Sequence, residues 1–196
     1  AVNHIIPQAN QTNVSRTLQR YDVSKKPKDK TKTKRFKDYE PGFLHIDLTY
    51  VPKLEGKRKY LYVAIDRATR SMYVELRATK SQKDSAIFLK NCEEFFPFKI
   101  QKVLTDNGSE FTNRMYKVRT RGKETKLRKH DFEKMCEESK IEHRKTKIKS
   151  PWTNGMVERA NGMIKENTVK IHRYKNYREM EKDLKNYEMR YNVYGK

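Results

Sequence analysis

Hydrophobic and polar positions alternate along residues 42–51, GFLHIDLTYV, with Leu44, Ile46 and Leu48 on one face and Asp47 on the other. That period of two, in a stretch rich in β-formers, predicts a strand with one side in a core. A second strand is expected at 58–69, RKYLYVAIDRAT, and a third at 71–78, SMYVELRA. A turn at Arg67–Ser71 joins them, so the first three strands read as an antiparallel meander. The period then becomes helical. Ser81 and Asp84 make a start resembling a capping box, Phe88, Cys92, Phe95 and Phe96 share a face, and Pro97 ends the helix. Residues 99–106, KIQKVLTD, form a fourth strand closed by Asn107-Gly108. A short helix then turns Phe132, Met135 and Cys136 inward, and 140–148, KIEHRKTKI, is a fifth strand. After Pro151 a long helix sends Val157, Ala160, Ile164 and Ile171 to the core. A last helix from Asn176 does so with Tyr177, Met180, Leu184, Tyr187 and Tyr191. The order β-β-β-α-β-α-β-α-α implies an α/β domain. Its five-stranded mixed sheet is flanked by helices, with helical crossovers adding parallel strands to the meander.

Residues 1–37 lack this patterning and read as an appendage to a core at 38–196. NVSRTLQRYDV is expected to form a short helix capped by Asn13, with Val14, Leu18 and Tyr21 on one face, followed by a Lys-rich linker. At 196 residues and 35% hydrophobic content, one medium domain with a small appendage is the expectation. No apolar run approaches the roughly 20 residues that a membrane helix needs. Cys92 and Cys136 lie far apart without metal-ligand spacing, which suits reduced thiols of an intracellular protein; the expected location is cytoplasmic, with nucleoid association.

Charge changes the picture most. Lys and Arg number 46 against 25 Asp and Glu, a formal net charge of +21. Nucleic acid is the default partner for such a chain. The segments 24–37 and 113–130 each hold eight Lys/Arg and one acid, and Arg119, Arg121, Lys123 and Lys126 of the second are candidate phosphate contacts.

In so basic a chain, three acids stand out by position. Asp47 lies mid-strand, Asp106 ends the fourth strand, and Glu158 opens the long helix. If crossovers place the fourth strand beside the first, the two aspartates become neighbours and the helix start brings Glu158 to them. Three carboxylates so close repel by several kcal/mol in a low-dielectric site. Divalent cations with oxygen ligands would compensate, and two of them about 3.5–4 Å apart would clamp a phosphodiester displacement. Each acid also has a plainer role: a polar strand face for Asp47, an Asx-turn for Asp106, a helix-dipole partner for Glu158.

HIDLTYV, YVAIDRATR, VLTDNGSEF and SPWTNGMVERANG together resemble the core motifs of DDE-type transposases of bacterial insertion sequences, the group most similar to retroviral integrases. The resemblance spans residues 39–194 with the motifs in family order. It implies a ribonuclease-H-like fold, two Mg²⁺ (or Mn²⁺) ions per site and no small-molecule cofactor. It implies cleavage at element ends followed by strand transfer into target DNA, by a homodimer or larger assembly. Residue by residue, it makes Asp47, Asp106 and Glu158 catalytic and metal-ligating, and places DNA contacts at Asn161, Gly162 and Lys165. Lys165 is equally well an ordinary surface lysine, and Trp152 either stacks on a base or anchors the loop. The gap from Asp106 to Glu158 exceeds the family's usual one. A literal count lands near Glu142 on the fifth strand, but Glu158 follows Asn-Gly and begins a helix, and the basic segment absorbs the excess. Asp66 is expected to serve a turn or salt bridge, and Asn107, Gly108 and Glu110 to shape the loop after Asp106. Residues 1–23 resemble the end of a helix-turn-helix module. A metal-dependent nuclease of the same fold and a catalytically inactive DNA-binding protein remain as alternatives. A tyrosine recombinase is disfavoured, because no Arg/His/Tyr constellation is apparent.

Overall fold

The computed structural model describes residues 10–21, 39–54, 56–113, 129–147 and 154–195. The chain divides into two compact units, Ala1–Lys37 and Asp38–Lys196. In the first, helix α1 (Gln11–Arg20) is capped by Asn10, whose side chain accepts the Thr12 N–H at 2.9 Å. The expected cap, Asn13, sits inside the helix, because Asn10 already takes the extended cap geometry one turn earlier. Leu18 and Tyr21 of the expected apolar face are exposed.

The second unit is built on one sheet of five strands: β1 (Phe43–Tyr50), β2 (Tyr60–Asp66), β3 (Met72–Arg77), β4 (Lys102–Thr105) and β5 (Glu142–Lys145). Their spatial order is β3-β2-β1-β4-β5. β1, β2 and β3 pair antiparallel, whereas β4 joins β1 and β5 joins β4 in parallel. Helix α2 (Gln82–Phe95) connects β3 to β4, and α3 (Asp131–Glu138) precedes β5. On their side of the sheet, Leu44, Ile46, Tyr62, Ala64 and Val103 pack with Phe88, Cys92, Phe132 and Cys136. The other side is covered by α4 (Gly155–Asn167) and α5 (Tyr177–Tyr194), where Val157, Ala160, Ile164, Met180 and Leu184 meet Leu61, Val63 and Ile65 of β2. β2 is therefore apolar on both faces, which explains its near-continuous hydrophobic run. Both cysteines are free and buried.

Two expected core positions lie elsewhere. Ile171 is 63% exposed, because α4 stops at Asn167 and the next residue, Thr168, turns its hydroxyl back to the Ile164 carbonyl at 2.6 Å. Phe95 is 39% exposed at the end of α2, although its ring still meets Tyr73 at 4.7 Å. Asp66 forms no ion pair among the described residues. Fully buried, its carboxylate accepts from the backbone of Gly42, Phe43, Ala68 and Thr69 and from the Thr69 hydroxyl, which ties the β2–β3 turn to the start of β1.

The edge strand β3 is closed by α5. Glu188 accepts the Val74 N–H at 2.6 Å, and one turn later Asn192 both accepts from Met72 N (2.8 Å) and donates to Met72 O (2.7 Å). An open edge would offer these groups to another chain. Asn192→Ala is expected to cost about 1–2 kcal/mol in urea unfolding and to raise the tendency to self-associate in sedimentation.

Candidate active site

Strand register brings the first two acids together. β1 and β4 run in parallel with Phe43 opposite Lys102, Leu44 opposite Val103 and His45 opposite Leu104. Carried two residues further, the same register sets Asp47 beside Asp106, where β4 gives way to a loop. Alternation turns both away from the α2–α3 core and toward α4. There Asn161, 7% exposed, donates from Nδ2 to Asp47 Oδ2 at 2.7 Å. Its Oδ1 is buried with no hydrogen-bond partner. Glu158 stands in the first turn of α4 and is exposed.

The electrostatics centre on Asp47. Its pKa is raised from 3.8 to about 7, first by burial and then by the charges of Asp106, Glu158 and Glu110, against a hydrogen bond from the Leu48 backbone. Asp47 thus feels the other two acids singled out in the sequence, and Glu110 besides. Among the described residues, however, no three His, Cys, Asp or Glu side chains converge closely enough to hold a metal ion.

The loop after β4 is held firmly. Asp106 Oδ1 accepts the Gly108 N–H at 2.9 Å, an Asx-turn that leaves Oδ2 free to act elsewhere. Asn107 donates to the Thr146 carbonyl (3.0 Å) and hydroxyl (3.2 Å), fixing the loop to the chain beyond β5. The Thr105 hydroxyl donates to the Asp106 carbonyl at 3.0 Å, so it accepts from His143 Nε2 at 2.8 Å. Burial, helped by Lys145, lowers the His143 pKa to about 4 and keeps the ring neutral. Glu110 is buried over Gly108: a Cβ on that glycine would stand 2.7 Å from Glu110 Oε1, so any larger residue there would push this carboxylate aside. His130, fully buried, accepts the Phe132 N–H on Nδ1 (3.2 Å), which caps α3 and leaves Nε2 to donate to the Ser109 carbonyl (3.0 Å). Thr112 and Lys145 both bond Glu133, at 2.9 and 2.6 Å. These bonds join Ser109 and Thr112 of the loop to His130 and Glu133 at the start of α3. Residues 114–128 between them, with Arg119, Arg121, Lys123 and Lys126, lie outside the described residues, as do Pro151 and Trp152.

On α4, Gly162 is half-buried and a Cβ there would meet nothing within 4 Å, so no neighbour in the fold demands glycine. Lys165 is half-buried and Arg159 exposed. Glu142 sits elsewhere. It opposes Lys102 at the start of the parallel strands, whereas Asp106 lies past their far end, and its carboxylate is bonded to Arg144 at 2.7 Å.

Sequence reasoning missed two buried polar residues at the mouth of α4. His45, on β1 two residues before Asp47, is 3% exposed and packs on Phe43 at 5.3 Å between centroids. Burial, with a smaller contribution from Arg67, lowers its pKa to about 4. The Asn154 side chain lies against the ring and favours protonation, but the two do not reach hydrogen-bonding geometry, and both ring nitrogens stay unpaired. Asn154 occupies the N-cap position of α4 without capping it, its Oδ1 also buried and unpaired. Strand alternation put His45 on the Asp47 face; nothing local signalled its partner on α4.

A mixed sheet of antiparallel meander plus two parallel strands, with Asp47 and Asp106 side by side at the end of the central parallel pair, defines a ribonuclease-H-like fold. The family profile of the integrase core domain matches residues 39–151, and the chain belongs to that family. The match includes Asp47 and Asp106 and ends before Glu158. The chain is 30% identical over 133 residues to the integrase-like ORF3 protein of Spiroplasma virus SpV1-C74, covering 64% of this chain and 35% of that one. It is 31% identical over 113 residues to the retrovirus-related Pol polyprotein of transposon TNT 1-94 from Nicotiana tabacum, covering 57% of this chain and 7% of the polyprotein. A simian T-cell lymphotropic virus intasome, solved in complex with PP2A regulatory subunit B56 gamma, contains a chain of the same fold. The TM-score is 0.57 at 16% identity, over 76% of this chain and 47% of that one. The present chain thus spans about a third of its viral relative and less than half of the intasome chain. Among the described residues no helix is long and apolar enough to cross a membrane.

Proposed function

We propose that this chain is the catalytic core of a DNA transposase or integrase that cleaves DNA at element ends and joins the freed 3′-hydroxyl to target DNA. The observation that carries this reading is the pairing of Asp47 and Asp106 by strand register under a helix that opens with Glu158. The residues suit divalent cations. Burial first, and then the charges of neighbouring acids, push Asp47 toward its protonated form, and a buried Asn161 oxygen beside it lacks a partner. A positive charge bound there would relieve both. In this reading Asp47, Asp106 and Glu158 hold two Mg²⁺ (or Mn²⁺) ions, which when bound supply charge neutralisation at the attacking and leaving oxygens.

The other roles belong to the chain itself. Asn161 fixes Asp47 by its 2.7 Å bond, which holds one carboxylate oxygen in place. The Asx-turn and the Asn107–Thr146 bonds hold Asp106 in register. Gly162 leaves open space on α4 where a DNA strand can come close, and Lys165, one turn on, meets a phosphate. Arg119, Arg121, Lys123 and Lys126 add backbone contacts from the basic segment after the Asp106 loop.

The test is incubation of labelled end DNA with target DNA and Mg²⁺. Joined products that vanish in EDTA are expected; cleavage without joining would reduce the activity to that of a nuclease. Binding should also weaken steeply with salt. Exchanging Arg119, Arg121, Lys123 and Lys126 for Ser should flatten the log–log slope by about 0.9 for each phosphate no longer neutralised. An unchanged slope would remove that segment from the interface.

A further inference from the structure

His45 and Asn154 present an unusual combination: two residues, each 3% exposed, facing each other across the β1–α4 interface with three unpaired polar atoms between them. A buried polar atom without a partner is destabilising, and an apolar ring packed on Phe43 would serve the core better. Polar groups held at such a cost cluster where function needs them. The location fits. His45 is two residues from Asp47 on the same strand face, and Asn154 is four residues before Glu158. Asn154 leaves its own helix uncapped while its side chain is turned inward. Beside it, Met156 is bonded by Arg70, a residue at φ 62° on the β2–β3 turn.

We propose that His45 and Asn154 are positioning residues. They form a latch whose hydrogen bond closes when the start of α4 settles onto β1, carrying Glu158 inward to Asp47 and Asp106. The proposal rests on the metal-site reading above. It accounts for an Asp47 that feels Asp106 and Glu158 although the three do not converge in the described structure.

The test uses the full chain and four proteins: wild type, His45→Phe, His45→Gln and Glu158→Gln. Three quantities are read: end-cleavage kinetics with Mg²⁺, thermal midpoint, and hydrogen exchange of the Met156–Ala160 amides without metal. For His45→Phe, kcat should fall by at least about tenfold with KM for DNA within about twofold, as expected for a misplaced catalytic group rather than weakened binding. Its midpoint should hold or rise, and exchange in the first turn of α4 should quicken. His45→Gln, which keeps a neutral donor and acceptor, should recover kcat to within about threefold of wild type. Full kcat in His45→Phe with unchanged exchange would overturn the latch. So would a loss of kcat that tracks a fall in midpoint and is not rescued by glutamine. Glu158→Gln separates the latch from the metal site. If it retains activity the metal-site reading fails, and exchange at Met156–Ala160 alone then decides whether the latch exists.

Discussion

Replacing Glu158 by glutamine is expected to lower end cleavage and strand transfer by about a thousandfold or more, while DNA affinity stays within about twofold. The change is nearly isosteric and lies on an exposed first turn of α4, so the fold has no reason to respond. What disappears is a negative oxygen donor. A neutral amide cannot hold a hard divalent ion as a carboxylate does, and in the proposed function DNA affinity comes from Lys and Arg side chains, which this change leaves alone. Glu142→Gln is the matched control. Its carboxylate lies at the opposite end of the parallel strands and is engaged by Arg144, so near-wild-type rates are expected. Rates measured on labelled ends, with binding by fluorescence anisotropy, check both. The reverse pattern would move the third acid to β5 and break the assignment.

Asp47→Asn should separate stability from activity. The pKa of this acid rises from the ordinary 3.8 to about 7 in the fold. Between those values the folded chain keeps a proton that the unfolded chain has released. Stability contributed by this group is therefore present at low pH, declines as pH rises through that window, and is gone above about 7. A rise of this size corresponds to at most about 4 kcal/mol, which solvent relaxation reduces. In EDTA at pH 8, Asp47→Asn should accordingly unfold at higher urea, by about 1–3 kcal/mol, and near pH 4 the difference should vanish. Asparagine can still accept the Asn161 bond, so the local packing survives. With saturating Mg²⁺ the order should reverse, because an ion that binds only the folded wild type stabilises it by mass action. Activity of the variant should fall to background. Equal stabilities of the two proteins at pH 8 in EDTA would mean that Asp47 is not held against its charge.

Much of the fold was legible along the chain. The meander could be read because β3 alternates cleanly, β1 alternates from Leu44 to Leu48, and β2, buried on both faces, runs apolar between turn residues. Phe88, Phe132 and Val157 followed their periods into the core. Where the reading slipped, a local contact beat the pattern. Ile171 continued the helical period, but Thr168 bonded back to the preceding turn and ended α4. Asn10 capped α1 ahead of Asn13 because it lay one turn earlier in extended geometry. The site was legible in part for a similar reason. Spacing alone put Asn161 on the Glu158 face of α4. Whether that face looks out at DNA or down at Asp47 depends on how the helix is rotated on the sheet, and the 2.7 Å bond shows it reaching down. The burial of Glu110 over Gly108, the His130 brace and the unpaired His45–Asn154 contact arise between elements distant in sequence, and no local pattern carries them.

The proposed activity stands or falls with divalent ions shared by Asp47, Asp106 and Glu158. Anomalous scattering from a crystal of the protein grown with Mn²⁺ would locate such ions. Two peaks about 3.5–4 Å apart are expected, held among Asp47, Asp106 and Glu158. Peaks held by Glu142, or ions bound at Asp47 and Asp106 with Glu158 still turned to solvent in an ordered α4, would contradict it.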